Sequence, residues 1–185
     1  MSIETLKAAL PDYAKDLKLN LGSVLNAPEL TPQQAWGSAV AAALAARNPH
    51  VIRAIADEAA EKIAPEALAA AKTAHAIMAM NNIYYRATHL ISNPDYGTMR
   101  AGLRMNALAT HGGVAQVDFE LYSIAVSAIN GCGMCLDSHE KVVTSKGATK
   151  EAVQAVLKIA AVVHGVAITL EGHAVLDGGM AQAAE

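Results

Sequence analysis

Both cysteines of this 185-residue chain, Cys132 and Cys135, lie in one short stretch, and His139 follows four residues after the second. On a helix these positions fall on one face, so the two sulfurs can meet and the imidazole lies one turn beyond Cys135. The first turn of a helix also has free N–H groups and the positive end of the helix dipole, which stabilise a thiolate. The spacing therefore favours a dithiol that attacks a substrate and then closes to a disulfide.

Zinc binding is the main alternative for these side chains. Cys132, Cys135 and His139 could supply three ligands and Glu120 a fourth. Structural zinc sites, however, usually take their Cys and His ligands in two paired sets, and the chain has no second cysteine pair. A purely structural disulfide would gain little from so short a loop. We therefore expect no bound metal, and a zinc-binding or redox-sensing interaction module remains an alternative.

Glu120 is an acidic side chain in the helix predicted before the cysteines. It lies between the apolar residues Phe119 and Leu121. The pattern alone favours an ordinary role for such a carboxylate, as a solvated charge or as a charge at the start of a helix. A C-x-x-C motif is nevertheless a more specific indication of dithiol chemistry when His139 lies on the same helix face and an acidic residue is close by.

The elements that must position these side chains are predicted from helix start and stop signals. Residues Thr31–Gln34 form a capping box with proline at the first helical position, and Pro49 and Pro65 open two further helices. The stretch Ser92–Gly97 is predicted to be a turn. The predicted helices run from Thr31 to about Arg47, from Pro49 to about Ile63, from Pro65 to Ile91 and, after the turn, to about Ala109.

The second half of the chain carries the motif and a long final helix. The remaining predicted elements are a helix capped by Asp118 that reaches Ile129, a helix from Cys132 to about Ser145, a last helix from near Thr149, and an end of the structured part at Gly178–Gly179. The last helix has apolar residues at a 3-4-3-4 spacing, which predicts a packing seam. The seam residues are Val153, Val156, Ala160, Val163, Ala167 and Leu170.

The composition indicates a globular helical protein. Hydrophobic residues make up 53% of the chain and charged residues 17%. Alanine favours closely packed helices, and no stretch shows sustained two-residue alternation of apolar and polar residues. We therefore predict an all-α, multi-helix bundle in a single domain spanning residues 1–185, with its catalytic segment at 118–147. A weak likeness between segments 38–44 and 124–130 leaves an internal duplication open.

Charge and hydropathy exclude several classes of protein. The net charge of −3 and the lack of a basic run argue against nucleic-acid binding. No continuous apolar run reaches the roughly 20 residues that a membrane-spanning helix needs. The N-terminus mixes acidic and basic residues and lacks the apolar region of a signal peptide. We therefore expect a cytoplasmic protein without a membrane partner.

The segment FELYSIAVSAINGCGMCLDSHE, residues 119–140, resembles the active-site segment of the AhpD family, the alkyl hydroperoxide reductase D component. The segments LKAALPDYAKDLKLNL (6–21), MNNIYYR (80–86) and LRMN (103–106) are also similar to that family, so the resemblance covers nearly the whole chain. The segment 80–86 could line a site or a subunit interface, and the sequence does not decide which.

The resemblance implies an AhpD-like all-helical fold, usually a homotrimer, that reduces alkyl hydroperoxides without a bound cofactor. It also implies an adaptor that passes electrons to an AhpC-type peroxiredoxin. Their source would be the lipoyl-bearing component of a dehydrogenase complex, kept reduced by dihydrolipoamide dehydrogenase, so dihydrolipoamide is the expected external reductant. A decarboxylase on the same fold is an alternative, although that chemistry needs no redox dithiol.

The family pattern falls on Glu120, Cys132, Cys135 and His139, and it implies a Cys132–Cys135 disulfide cycle. Glu120 would orient and polarise His139, which would move protons to and from a thiol. Two arguments compete over which thiol meets peroxide. The helix dipole and better exposure favour Cys132, whereas closeness to the base favours Cys135, and the resemblance also favours Cys135. Some family members have a His where this chain has Met134. Any part of that His in a proton relay is therefore absent here or taken by another group.

Overall fold

The computed structural model of the chain describes residues 1–177, and the regular elements within that range are all helical. The helices are α1 (Ile3–Ala9), α2 (Lys15–Val24), α3 (Pro32–Ala46), α4 (Pro49–Lys62), α5 (Pro65–Leu90), α6 (Asp95–Thr98), α7 (Ala107–Thr110), α8 (Gln116–Ile129), α9 (Gly133–Ser145) and α10 (Lys150–Asp177). Two short 3-10 turns occupy Asp12–Ala14 and His111–Gly113. The predicted all-α class is confirmed, and the predicted end at Gly178–Gly179 lies outside the described residues.

Proline and capping signals set the helix starts in the first half of the chain. The side chain of Thr31 accepts a hydrogen bond from the Gln34 N–H group, and the Gln34 side chain accepts one from the Thr31 N–H group, so the predicted capping box is confirmed. Pro49 and Pro65 each stand at the first helical position, as predicted. This position suits proline because its missing N–H group would have no partner inside the helix.

Helix α3 forms the centre of the bundle. It packs against α4, α5, α8 and α10, and its alanines are buried on all sides of the helix. Small side chains allow the neighbouring helix axes to come close, so the scarcity of aromatic residues is compensated by tight packing. Helix α8 lies against α3, α5, α9 and α10, and α8 together with α5 joins the cysteine-bearing helix α9 to the core.

Gly37 of α3 lies very close to the ring of Tyr122 on α8. A Cβ atom at Gly37 would lie 2.2 Å from the Tyr122 ring. We expect Gly37→Ala to lower the free energy of unfolding by about 1–2 kcal/mol, because so close a contact should cost near the upper end of the about 1–3 kcal/mol typical of overpacking, and this outweighs the gain in helix propensity of about 1 kcal/mol. Chemical denaturation measures the change. Gly172→Ala is the matched control, since the exposed Gly172 in α10 has open space at its Cβ position, and it should be neutral or stabilising. Equal stabilities of the two variants would contradict the prediction.

Helix α10 carries the predicted seam into the core. All six seam residues are buried, and α10 packs against α2, α3 and α8. By length and composition alone, Lys150–Leu176 is also long and apolar enough to cross a membrane, and 44% of the residues in its most apolar stretch are buried inside the protein. A core helix meets the same criterion when its apolar face is covered by neighbouring helices, and the seam of α10 is covered in this way.

Two predictions from the sequence are wrong for the segment that runs from residue 99 to the start of α8. The helix predicted to end near Ala109 is mostly absent, because residues 99–106 are not helical and only the single turn of α7 forms. The segment is largely exposed and Gly102 has a left-handed φ of 67°, so no packing compensates the cost of starting a helix. Asp118 does not cap α8, since the helix begins two residues earlier. Its carboxylate instead accepts hydrogen bonds from the side chains of Gln33 and Gln34 on α3.

Candidate active site

The turn between α8 and α9 places the first cysteine at the start of a helix. Gly131 has a φ of 66°, which reverses the chain after α8. Cys132 is then the N-cap of α9, and its Sγ accepts a hydrogen bond from the Cys135 N–H group at 3.3 Å. The two residues form a disulfide with Cα atoms 5.3 Å apart. The structure therefore shows the oxidised form of the predicted dithiol.

The two sulfurs differ in their access to solvent. Cys132 is fully buried, at 0% exposed, whereas Cys135 is 6% exposed. The expectation that Cys132 is the better exposed thiol is wrong, because packing buries Cys132 completely at the turn between α8 and α9, whereas Cys135 keeps some exposure. Cys135 lines a cleft at the surface, together with Met134 and His139. Cys132 is not among the described residues that line this cleft, so of the two cysteines Cys135 is the one that a molecule in the cleft could contact.

Glu120 and His139 form a pair across the α8–α9 contact. The Nδ1 atom of His139 lies 2.5 Å from the Glu120 Oε2 atom, and the two side chains are 13% and 12% exposed. Glu120 is therefore not the solvated charge that its sequence pattern favours. The other ring nitrogen, Nε2, lies 3.2 Å from the Met78 thioether. A thioether accepts hydrogen bonds only weakly, so Nδ1 has a strong hydrogen-bond partner in the Glu120 carboxylate and Nε2 has only a weak one among the described residues.

The cleft has a volume of about 290 Å³ and a mostly apolar lining. Its lining residues are Met78, Asn81, Tyr85, Met105, Leu108, Met134, Cys135, Ser138 and His139. The sequence patterns by themselves assign no role in a site to Met78, Met105, Leu108 or Ser138. The family-like segments 80–86 and 103–106 were the available signal, because each contributes residues to this lining. The arrangement can bind an apolar molecule with one polar end beside a thiol and a base.

A buried polar network fixes the turn that carries Cys132. The amide nitrogen of Asn82 donates to the Ser127 hydroxyl at 2.9 Å, and its oxygen accepts from the Asn130 side chain at 3.0 Å. The Arg86 guanidinium donates to the Asn130 carbonyl. The Cys132 N–H group donates to the Ser127 carbonyl at 3.1 Å. Helix α5 thereby holds the end of α8 and the start of α9 in one position.

Two titratable groups outside the cleft are shifted by burial. Burial raises the pKa of the Tyr122 phenol above its usual value, and the Asp118 carboxylate adds to this effect. Burial lowers the pKa of His75, and the nearby Arg47 charge lowers it further. Neither group lines the cleft, so these pKa shifts result from packing of the core and give no information about the chemistry of the cleft.

No three His, Cys, Asp or Glu side chains within residues 1–177 are grouped as possible metal ligands. In this oxidised form the two sulfurs are bonded to each other, and Glu120 is hydrogen-bonded to His139. The four residues singled out from the sequence therefore form two bonded pairs. One member of each pair, Cys135 and His139, reaches the cleft.

Comparison with known proteins gives consistent matches over this chain. The carboxymuconolactone decarboxylase family matches residues 94–177, which include α8 and α9. The Streptomyces coelicolor protein named alkyl hydroperoxide reductase AhpD is 57% identical over 176 residues, covering 95% of this chain and 98% of its own. Proteins of the same name from Rhodospirillum centenum and Gluconacetobacter diazotrophicus are 56% and 57% identical, covering 96% and 95% of this chain and 95% and 96% of their own. The chain belongs to the AhpD family.

Proposed function

We propose that this protein is a thiol peroxidase that reduces alkyl hydroperoxides through a Cys132–Cys135 dithiol and disulfide cycle. The observation that carries the proposal is the joint presence of Cys135 and the Glu120-bound His139 at one apolar cleft. The names of the relatives support the same reaction. A decarboxylase on this fold would not require the redox dithiol, and so it explains less of the site.

The chemistry follows from the positions of these groups. His139 accepts the Cys135 proton through Nε2, and the thiolate attacks the terminal oxygen of the hydroperoxide. The O–O bond breaks, Cys135 becomes a sulfenic acid, and the alkoxide leaves as an alcohol after taking the proton from His139. The Cys132 thiol then attacks the sulfenic sulfur, so that the disulfide forms and water leaves. One hydroperoxide thus takes two electrons from one dithiol.

The disulfide must be reduced before a second turnover. We assign dihydrolipoamide as the external reductant, since its dithiol returns two electrons and two protons by exchange through a mixed disulfide at Cys135. The same exchange would allow the protein to pass electrons to an AhpC-type peroxiredoxin. A reduced dithiol pool of this kind is typical of the cytoplasm, where we place the reaction.

The test is hydroperoxide consumption by the purified protein with dihydrolipoamide as the only reductant. We expect one dihydrolipoamide to be oxidised for each tert-butyl hydroperoxide reduced, without added metal or flavin. Reactions lacking either the protein or the peroxide provide the baseline. A protein that shows no peroxide-dependent oxidation, although its disulfide is fully reduced by dihydrolipoamide, would contradict the peroxidase function. Metal analysis of the same preparation tests the zinc alternative, which requires one tightly bound equivalent.

The proposal includes assembly as a homotrimer, as the family resemblance implies. Several large apolar side chains are exposed on the single chain, including Ile83, Leu90, Tyr96 and Met99. Contacts between subunits commonly cover large apolar side chains that a single chain leaves exposed. Sedimentation at micromolar concentration measures the mass directly, and a monomer would exclude the trimer.

A further inference from the structure

Two neighbouring asparagines on α5 have opposite hydrogen-bonding states. Asn82 is fully buried, and both ends of its amide are bonded, to Ser127 and to Asn130. Asn81 is also buried, at 5% exposed, but its Oδ1 atom has no hydrogen-bond partner among residues 1–177. The hydrogen bonds of the Asn82 side chain therefore stabilise the fold, whereas the Asn81 side-chain oxygen makes no hydrogen bond within the described part of the chain that could do so.

A buried amide oxygen that lacks a hydrogen-bond partner, as Oδ1 of Asn81 does within residues 1–177, is unfavourable. Buried polar groups are almost always hydrogen-bonded, because an unpaired one loses its interaction with water and gains nothing in return. The Asn81 side chain lines the same cleft as Cys135 and His139. Its neighbours in the cleft wall include Met78, Tyr85 and several other mainly apolar side chains. The position is thus one where a polar group of a bound molecule would find a partner.

We propose that the Asn81 amide binds the peroxy group of the substrate, and this inference rests on the proposed hydroperoxide reduction. An amide both donates and accepts hydrogen bonds, and a hydroperoxide likewise has one O–H donor and several acceptor lone pairs. The terminal torsion of asparagine is soft, so rotation about it can turn either the amide oxygen or the amide nitrogen toward the cleft. The bond would hold the terminal oxygen toward the Cys135 sulfur while the alkyl group contacts the apolar wall.

The test compares Asn81→Ala with Asn82→Ala in three measurements. These are the melting temperature, the rate of Cys135 oxidation by tert-butyl hydroperoxide in the reduced protein, and the rate of Cys135 alkylation by iodoacetamide. Alkylation needs the same reactive thiol but does not need a group that binds peroxide. Removing a hydrogen bond to substrate should slow oxidation by Asn81→Ala about tenfold, which corresponds to about 1.4 kcal/mol, and leave alkylation within about twofold of the wild type.

The melting temperatures should separate the two positions. Asn81→Ala loses no internal hydrogen bond and gains helix propensity, so its melting temperature should equal or exceed that of the wild type. Asn82→Ala leaves Ser127 and Asn130 without their partner and should melt lower by roughly 5 °C or more. A kinetic defect in Asn81→Ala without loss of stability is therefore the signature of substrate binding.

Two results would overturn the inference. One is an Asn81→Ala protein that reacts with hydroperoxide as fast as the wild type. The other is a variant that loses melting temperature and slows in both oxidation and alkylation, which would make Asn81 a structural residue like Asn82. A wild-type protein whose thiols do not react with hydroperoxide at all would instead refute the proposed function, so the two failures are distinguishable.

Discussion

Cys135→Ser is expected to lower hydroperoxide turnover by on the order of a thousandfold or more, the scale of loss when a covalent nucleophile is removed. Cys135 lines the cleft, whereas Cys132 is fully buried and is not among the described residues that line it. His139 lies one helical turn beyond Cys135 and two turns beyond Cys132, and a base acts only within hydrogen-bond reach or through one water. Peroxide should therefore oxidise Cys135 first.

Cys132→Ser should fail at a different step. Cys135 can still be oxidised in this variant, but no second thiol is present to close the disulfide, so the sulfenic acid should persist. One equivalent of hydroperoxide followed by a dimedone-type reagent and peptide mass analysis measures where the label lies. Label on Cys135 in Cys132→Ser and little label in Cys135→Ser is the expected pair of results. The reverse labelling would show that the N-cap position of Cys132 favours oxidation more than the cleft exposure of Cys135 and its nearness to His139 do.

His139→Phe and Glu120→Gln should each lower turnover by about a hundredfold or more, because general acid–base catalysis commonly contributes that much. His139 moves the proton, and Glu120 fixes the ring through the 2.5 Å contact at Nδ1. Neither change adds bulk to the central core around α3, so both variants should fold. Steady-state peroxidase assays give the effect, and circular dichroism checks the fold.

The pH dependence provides a sharper readout for the base. As the pH rises through the ordinary thiol pKa of about 8.5, the thiolate forms without help, so the defect of His139→Phe in the oxidation step should shrink. Matched controls are His89→Phe and Glu66→Gln, which make the same changes at exposed positions on α5 and should keep wild-type turnover. A folded His139→Phe or Glu120→Gln protein with wild-type rates at neutral pH would remove that residue from the mechanism.

Most of the local structure follows from signals within a few residues of each other in the sequence. The capping box at Thr31 and the prolines at positions 49 and 65 set three helix starts, because these residues act on the backbone within one turn. The seam of α10 followed from periodicity alone. The C-x-x-C spacing likewise predicted that the two sulfurs could meet, since a helix fixes the separation of residues three positions apart. Where local signals were weak, as over residues 99–106, the prediction was wrong.

By contrast, the grouping of distant residues into one site and the accessibility of each cysteine depend on how the helices pack. Residues of α5, of α9 and of the segment around Met105 line the cleft. These segments are far apart in the sequence, so the sequence alone does not show that they are neighbours. Asn81 and Asn82 are identical in type and adjacent in sequence, yet one is fully bonded and the other is not. Burial and pairing depend on how helices pack against each other, and packing is a sum of many weak contacts between distant segments. Periodicity within one helix reports only the direction in which a side chain points.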